Sequence, residues 1–117
     1  MSDNIIQEKA MGFAVRIVKM YQFLTDTKRE YVLSKQLLRS GTSIGANIAE
    51  AIDAVSRKDF INKMSISLKE CSETLFWIEL LYRTEYINQK LYDSILEDCE
   101  ELKRILTSIV KTTKGIR

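Results

Sequence analysis

Residues 38–54, LRSGTSIGANIAEAIDA, hold two glycines four apart (Gly41 and Gly45) and tiny side chains at Ser40, Ser43, Ala46 and Ala49, with no proline. Leu37, Ile44, Ile48 and Ile52 nevertheless keep a helical apolar period through the stretch. Each glycine costs a helix about 1 kcal/mol relative to alanine. Close approach of another backbone or of a ligand is the expected compensation. The glycine spacing matches no phosphate-cradling loop, so the segment reads as a close-packing helix.

Working outward, residues 5–24 carry a heptad seam at Ile6, Ala10, Phe13, Ile17, Met20 and Leu24. Asn4 with Gln7 three residues on is a capping-box pattern. A polar turn, Thr25 to Lys28, separates it from a second helix expected over 30–54, with Leu37, Gly41, Ile44, Ile48 and Ala51 as its stripe. Ser56 and Asp59 cap a third helix over 57–83, whose expected core stripe is Phe60, Met64, Leu68, Cys71, Leu75, Ile78 and Tyr82. Asn88 caps a fourth over 89–113, where Tyr92, Ile95, Cys99, Leu102, Leu106 and Ile109 form another seam and Gly115 provides the stop. Short connections between long helices predict one all-α domain over 1–117, an antiparallel up-down-up-down four-helix bundle.

The third helix is apolar nearly all round between Leu75 and Tyr82, only Glu79 excepted. Such a helix is buried on more than one side. In so small a bundle the second side is expected to meet another subunit, which makes Phe76, Trp77 and Leu80 candidate interface residues.

Composition narrows the function classes. The 117 residues contain no histidine, which removes the commonest general base and metal ligand together. Two cysteines, Cys71 and Cys99, make no zinc site and read as small buried hydrophobes. Acidic pairs such as Glu70 and Glu73 read as solvated faces, and no serine or cysteine has a neighbouring base. The chain is expected to be non-enzymatic, with no cofactor or metal. No apolar run reaches membrane-spanning length and residues 1–15 do not resemble a signal peptide, so a cytoplasmic location is expected.

Two polar features remain. Ser40, Ser43, Asn47 and Glu50 follow helical spacing on the second helix, with Arg39 beside them. They form either a polar groove or, as preferred, a network that fixes helix register, Glu50 being paired to a cation of a neighbouring helix or subunit. Net charge is only +2, from 18 basic and 16 acidic residues. Topology, however, gathers Arg57, Lys58, Lys111, Lys114 and Arg117 at one pole, where they can contact phosphates. Arg57 and Lys58 occupy a helix N-terminus, an end that disfavours cations, which hints at an anionic partner or a nearby carboxylate.

The segments FAVRIVKMYQFL (Phe13 to Leu24), QLLRSGTSIGANIAEA (Gln36 to Ala51) and SRKDFINKMSISLKECSETLFWIELL (Ser56 to Leu81) resemble the 23S rRNA intervening-sequence proteins. The likeness covers most of residues 5–110. It implies an antiparallel four-helix bundle assembling as a ring, a homopentamer, and is similar to the accessory variability determinant of diversity-generating retroelements, a basic pentamer associated with nucleic acid. This chain departs from that relative in its low net charge. Two readings follow: a nucleic-acid (RNA or DNA) accessory protein, or a scaffold that docks another protein around Phe76, Trp77 and Leu80.

Overall fold

The structure, a computed structural model, describes residues 3–115, with side chains from Ile5 onward. Within them lie four helices: α1 (Asp3–Asp26), α2 (Leu33–Ile52), α3 (Arg57–Arg83) and α4 (Gln89–Lys114). Each packs against its sequence neighbours and α4 closes back on α1, which leaves the two diagonal pairs apart. Cross-helix contacts set the directions. Gly41 lies against Ile17 and Gly45 against Ala10; Ser67 bonds Ile44 and Thr74 meets Ser40; Arg16 of α1 bonds Asp98 of α4, and Lys9 bonds Glu101. Every adjacent pair is antiparallel, as the short connections predict.

The seams of α1 and α2 lie in the core as expected. Ile6, Ala10, Phe13, Ile17, Met20 and Leu24 are all buried, as are Leu37, Ile44, Ile48 and Ala51. Gly41 supplies the close approach. A Cβ there would stand 2.8 Å from the Ile17 side chain, closer than packed carbons come.

The third helix differs. Phe60, Leu68, Leu75 and Tyr82 are only partly buried, while Ser67, Thr74 and Leu81 turn inward with Met64, Cys71 and Ile78. The inward hydroxyls are satisfied. Ser67 Oγ donates to the Ile44 carbonyl at 2.8 Å, and Thr74 Oγ1 lies 3.0 Å from Ser40 Oγ. A polar rung therefore crosses the α2–α3 contact at little desolvation cost.

The caps at Ser56 and Asn88 form, accepting from the N–H groups of Asp59 and Leu91, and Gly115 adopts the left-handed stop at φ 77°. At the other end, Asn4 falls inside α1 as described, not before it. The second helix is shorter than the expected 30–54, beginning at Leu33 and ending at Ile52. Arg29 takes a left-handed φ of 56°, which breaks the chain away from α1, and Glu30 becomes the cap of α2. Its carboxylate accepts from the N–H groups of Val32 (3.1 Å), Leu33 (2.9 Å) and Ser34 (2.7 Å), and Ser34 Oγ donates back to the Glu30 carbonyl at 2.8 Å.

Cys71 and Cys99 are buried free thiols whose sulfurs lie 3.9 Å apart across the α3–α4 contact. The hydrogen bond to Cys71, followed by burial, pushes the Cys99 thiol far above its ordinary pKa. Burial keeps reagents from both sulfurs, and the raised Cys99 thiol does not form the thiolate that reacts. Thiol labelling of the native protein at pH 8 is therefore expected to run on the order of a thousand-fold slower than in urea. Equal rates would show that this contact is open.

Candidate nucleic-acid interface

The outward face of α4 changes sign along its length. Asp93, Glu97 and Glu100 occupy its first half, and Lys103, Arg104, Lys111 and Lys114 its second. Steps of three and four residues bring Lys103, Arg104, Thr107, Ser108 and Lys111 onto one surface. With Leu75 of α3 they line an open groove of about 620 Å³, to which Glu100 adds the one carboxylate at its inner end. Lys103, Arg104 and Lys111 are all exposed. A near-neutral chain thus carries a local cationic surface, because its charges are segregated along one helix.

The groove runs toward the pole formed by the end of α4 and the start of α3. Arg57, Lys58, Lys111 and Lys114 do gather there, as topology predicts, and Arg117 lies outside the described residues. Arg57, however, is engaged by the fold. Its guanidinium donates to the backbone carbonyl of Thr113 in the last turn of α4. A cation that a helix N-terminus disfavours is held there by the negative end of the antiparallel neighbour. No carboxylate is needed to explain it. Lys103 and Arg104 lie away from the helix ends where the sequence concentrates its other cations of this pole, and their spacing from Lys111 is the signal that joins them to it.

The polar stripe of α2 bonds chiefly within its own helix and reaches α3 only at its two ends, through Ser40 and Glu50. Ser43 Oγ donates to the Arg39 carbonyl at 2.7 Å and Asn47 Nδ2 to the Ser43 carbonyl at 2.8 Å, so both bond within their own helix. Glu50 pairs with Lys63 of α3 at 2.8 Å, and that pair, hydrogen-bonded and Coulombic, raises the Lys63 pKa. Being exposed, it adds little stability.

Phe76 is 59% exposed, and Trp77 and Leu80 are half-buried. Trp77 stacks edge-on against Phe76 with ring centroids 5.0 Å apart, and its Nε1 donates to Glu73 at 3.0 Å. The three side chains lie together on the outside of α3. Among the described residues no cluster of three or more histidine, cysteine, aspartate or glutamate side chains is placed to hold a metal ion. No helix there is long and apolar enough to cross a membrane.

The fold and these surfaces can be set beside known proteins. Residues 2–108 match the family described as 23S rRNA-intervening sequence protein. The chain belongs to this family. A solved structure of a protein with unknown function from the S23 ribosomal protein family, from Bacteroides thetaiotaomicron, is similar throughout: 57% identity, a TM-score of 0.93, and coverage of 95% of this chain and 99% of that one. No functionally curated protein matches. Membership in the 23S rRNA-intervening sequence family agrees with the four-helix architecture. It brings no activity with it.

Proposed function

We propose that this 23S rRNA-intervening sequence family protein is a non-enzymatic, cytoplasmic, homo-oligomeric accessory protein that holds the phosphate backbone of RNA or DNA in the α4 groove. One observation carries the reading: Lys103, Arg104 and Lys111 converge with threonine and serine hydroxyls on one open groove. Cations and hydroxyls are the groups that bind phosphate without reading sequence. The groove is open, and its cations and hydroxyls suit non-specific backbone contact. In a pentamer, the assembly implied by the family resemblance, five such grooves would act together and strengthen a weak individual contact.

Binding of a single-stranded RNA 20-mer, followed by fluorescence anisotropy across a salt series, tests this. Affinity should fall steeply as salt rises. Each cation removed, as in Lys103→Ala or Arg104→Ala, should lower the log–log slope by roughly 0.7–1 unit. Arg57→Ala should change it less, since that guanidinium already serves Thr113. Salt-insensitive binding, or none at low ionic strength, contradicts the proposal. The exposed Phe76 supports a second reading, in which α3 docks an unrelated protein; in that case Arg104→Ala changes nothing and Phe76→Ala abolishes partner binding.

A further inference from the structure

The chain's two cysteines, Cys71 of α3 and Cys99 of α4, stand 28 residues apart in sequence and face each other in the core. Their sulfurs are 3.9 Å apart, and each lies beside the other's backbone. Cys71 Sγ is 3.5 Å from the Cys99 carbonyl oxygen, and Cys99 Sγ is 3.7 Å from that of Cys71. The contact is reciprocal, so both main chains come close at this level. A disulfide holds its sulfurs about 2.0 Å apart, which leaves about 2 Å to close, shared between two side chains. Little opposes that movement. The hydrogen bonds given up are those of thiols, which are weak donors and weak acceptors. The product carries no proton to satisfy and suits an apolar core. With no third cysteine in the sequence, no other pairing within the chain exists.

We propose that Cys71 and Cys99 are an oxidation site, a dithiol that hydrogen peroxide converts into a disulfide joining α3 to α4. The closed bundle shields both sulfurs, so the reaction runs through opening of the α3–α4 contact. In the opened contact one cysteine, as its thiolate, attacks the peroxide. An S–O bond forms, the O–O bond breaks, and the departing hydroxide collects the proton that this thiol gave up, leaving as water. The second sulfur then attacks the first. The S–S bond forms as the S–O bond of the sulfenic acid breaks, and the oxygen leaves as a second water with the second thiol's proton. Two electrons pass from the sulfurs to one peroxide. The cross-link falls beside the inner end of the α4 groove, since Glu100 follows Cys99 and Leu75 stands one turn beyond Cys71, and both line that groove. Oxidation therefore fixes the α3–α4 seam at this point. The inference stands on the geometry of the thiols and is independent of what the groove binds.

Peptide mass mapping of the full chain after hydrogen peroxide treatment tests this, in buffer and in urea just below the unfolding midpoint. Trypsin releases the two cysteines on residues Glu70–Arg83 and Leu91–Lys103, neither of which holds a methionine that peroxide would also oxidise. The two peptides should appear joined, about 2 Da below the sum of their masses, and should separate again on reduction. Joining should be faster in urea, which populates the opened contact. Urea unfolding of the oxidised chain, without reductant, gives the second readout. Its unfolding equilibrium constant should be at least about 30-fold lower than that of the reduced chain, the low end for a native disulfide. Peptides that each gain about 32 Da as sulfinic acids and never join overturn the proposal. So does joining between chains in place of joining within one, or thiols that stay unoxidised in both buffer and urea. An intrachain disulfide that leaves the chain no more stable than its reduced form overturns it as well, because the fold would then not be set to accept the bond.

Discussion

The Gly41→Leu variant is expected to lose about 3 kcal/mol of folding stability or to fail to fold, because it overpacks a closed contact. Ile17, the residue in the way, is fully buried and branched at Cβ, so it has little rotamer freedom with which to yield. Gly41→Ala should lose less, about 1–2 kcal/mol, since alanine returns helix propensity while still pressing on Ile17. Ile17→Ala alone should cost about 2–5 kcal/mol. Combined with Gly41→Ala, it should cost less than the sum of the two, because the new methyl occupies part of the vacated space. Urea unfolding of the four chains reads this coupling. At position 45 the sign reverses. Gly45→Ala should gain about 0.5–1 kcal/mol, as its Cβ meets Ala10 at an ordinary distance. Equal losses at both glycines would contradict the packing described for α1 and α2.

Glu30→Ala is expected to remove about 2–3 kcal/mol, more than an ordinary surface glutamate contributes. Three backbone N–H groups at the start of α2 lose a charged acceptor in a nearly buried site. The melting temperature should fall by about 10 °C. Glu30→Gln keeps one acceptor oxygen and should lose about half as much. The pH dependence follows from the same geometry. Burial pushes the Glu30 pKa upward, but the bonds from Leu33, Ser34 and Val32 outweigh it and hold the carboxyl below its ordinary value. A carboxyl whose folded pKa is lowered stabilises the protein above its unfolded pKa and loses that contribution as pH falls through the folded value. The gap between wild type and Glu30→Gln should therefore be widest above about pH 5 and narrow below about pH 4. A gap that widens on acidification would show that the carboxylate is not the cap.

How much of this was legible in the sequence depended on whether a residue's role is local. The seams of α1 and α2 follow from apolar spacing alone, as does that of α4 from Ile95 to Leu106, although Tyr92 and Ile109 at its ends are only partly buried and Val110 faces the core instead; the caps at Ser56, Asn88 and Gly115 lie within three residues of the ends they serve. In α3 the apolar stripe misled, because Ser67 and Thr74 face the core. Their hydroxyls are satisfied by Ile44 and Ser40 of another helix, and no period within α3 announces that. Glu30 was hidden for a related reason. It looks like the first residue of a helix, and only the left-handed turn at Arg29 makes it the cap. Arg57 was rightly noticed as a misplaced cation, yet its partner is the carbonyl of Thr113, 56 residues away. In the polar stripe of α2 the pairing of Glu50 with a cation on a neighbouring helix was readable, and Lys63 supplies it, whereas Ser43 and Asn47 turn back onto carbonyls of their own helix.

The α4 groove shows the opposite limit. Its residues are all on one helix and their spacing was in plain view, but net charge of +2 argued against a cationic surface. Segregation, not total charge, makes the surface. The opposite pole offers a natural control. There a groove of about 610 Å³ combines Lys28 and Arg83 with Glu85 and the rings of Phe23, Tyr82 and Tyr86. Arg83 is already paired with Glu79 at 2.6 Å. That end has aromatic surface but less free positive charge to offer a phosphate backbone.

Lysine acetylation of the wild-type protein, read by mass spectrometry with and without a single-stranded RNA 20-mer at low salt, locates the contact directly. Lys103, Lys111 and Lys114 should be protected together, and raising the salt should abolish the protection. Lys28 and Lys90, at the opposite pole, should react equally with and without RNA. Protection at Lys28 and Lys90 with none at Lys103 and Lys111 would contradict the assignment of the α4 groove as the phosphate-binding surface.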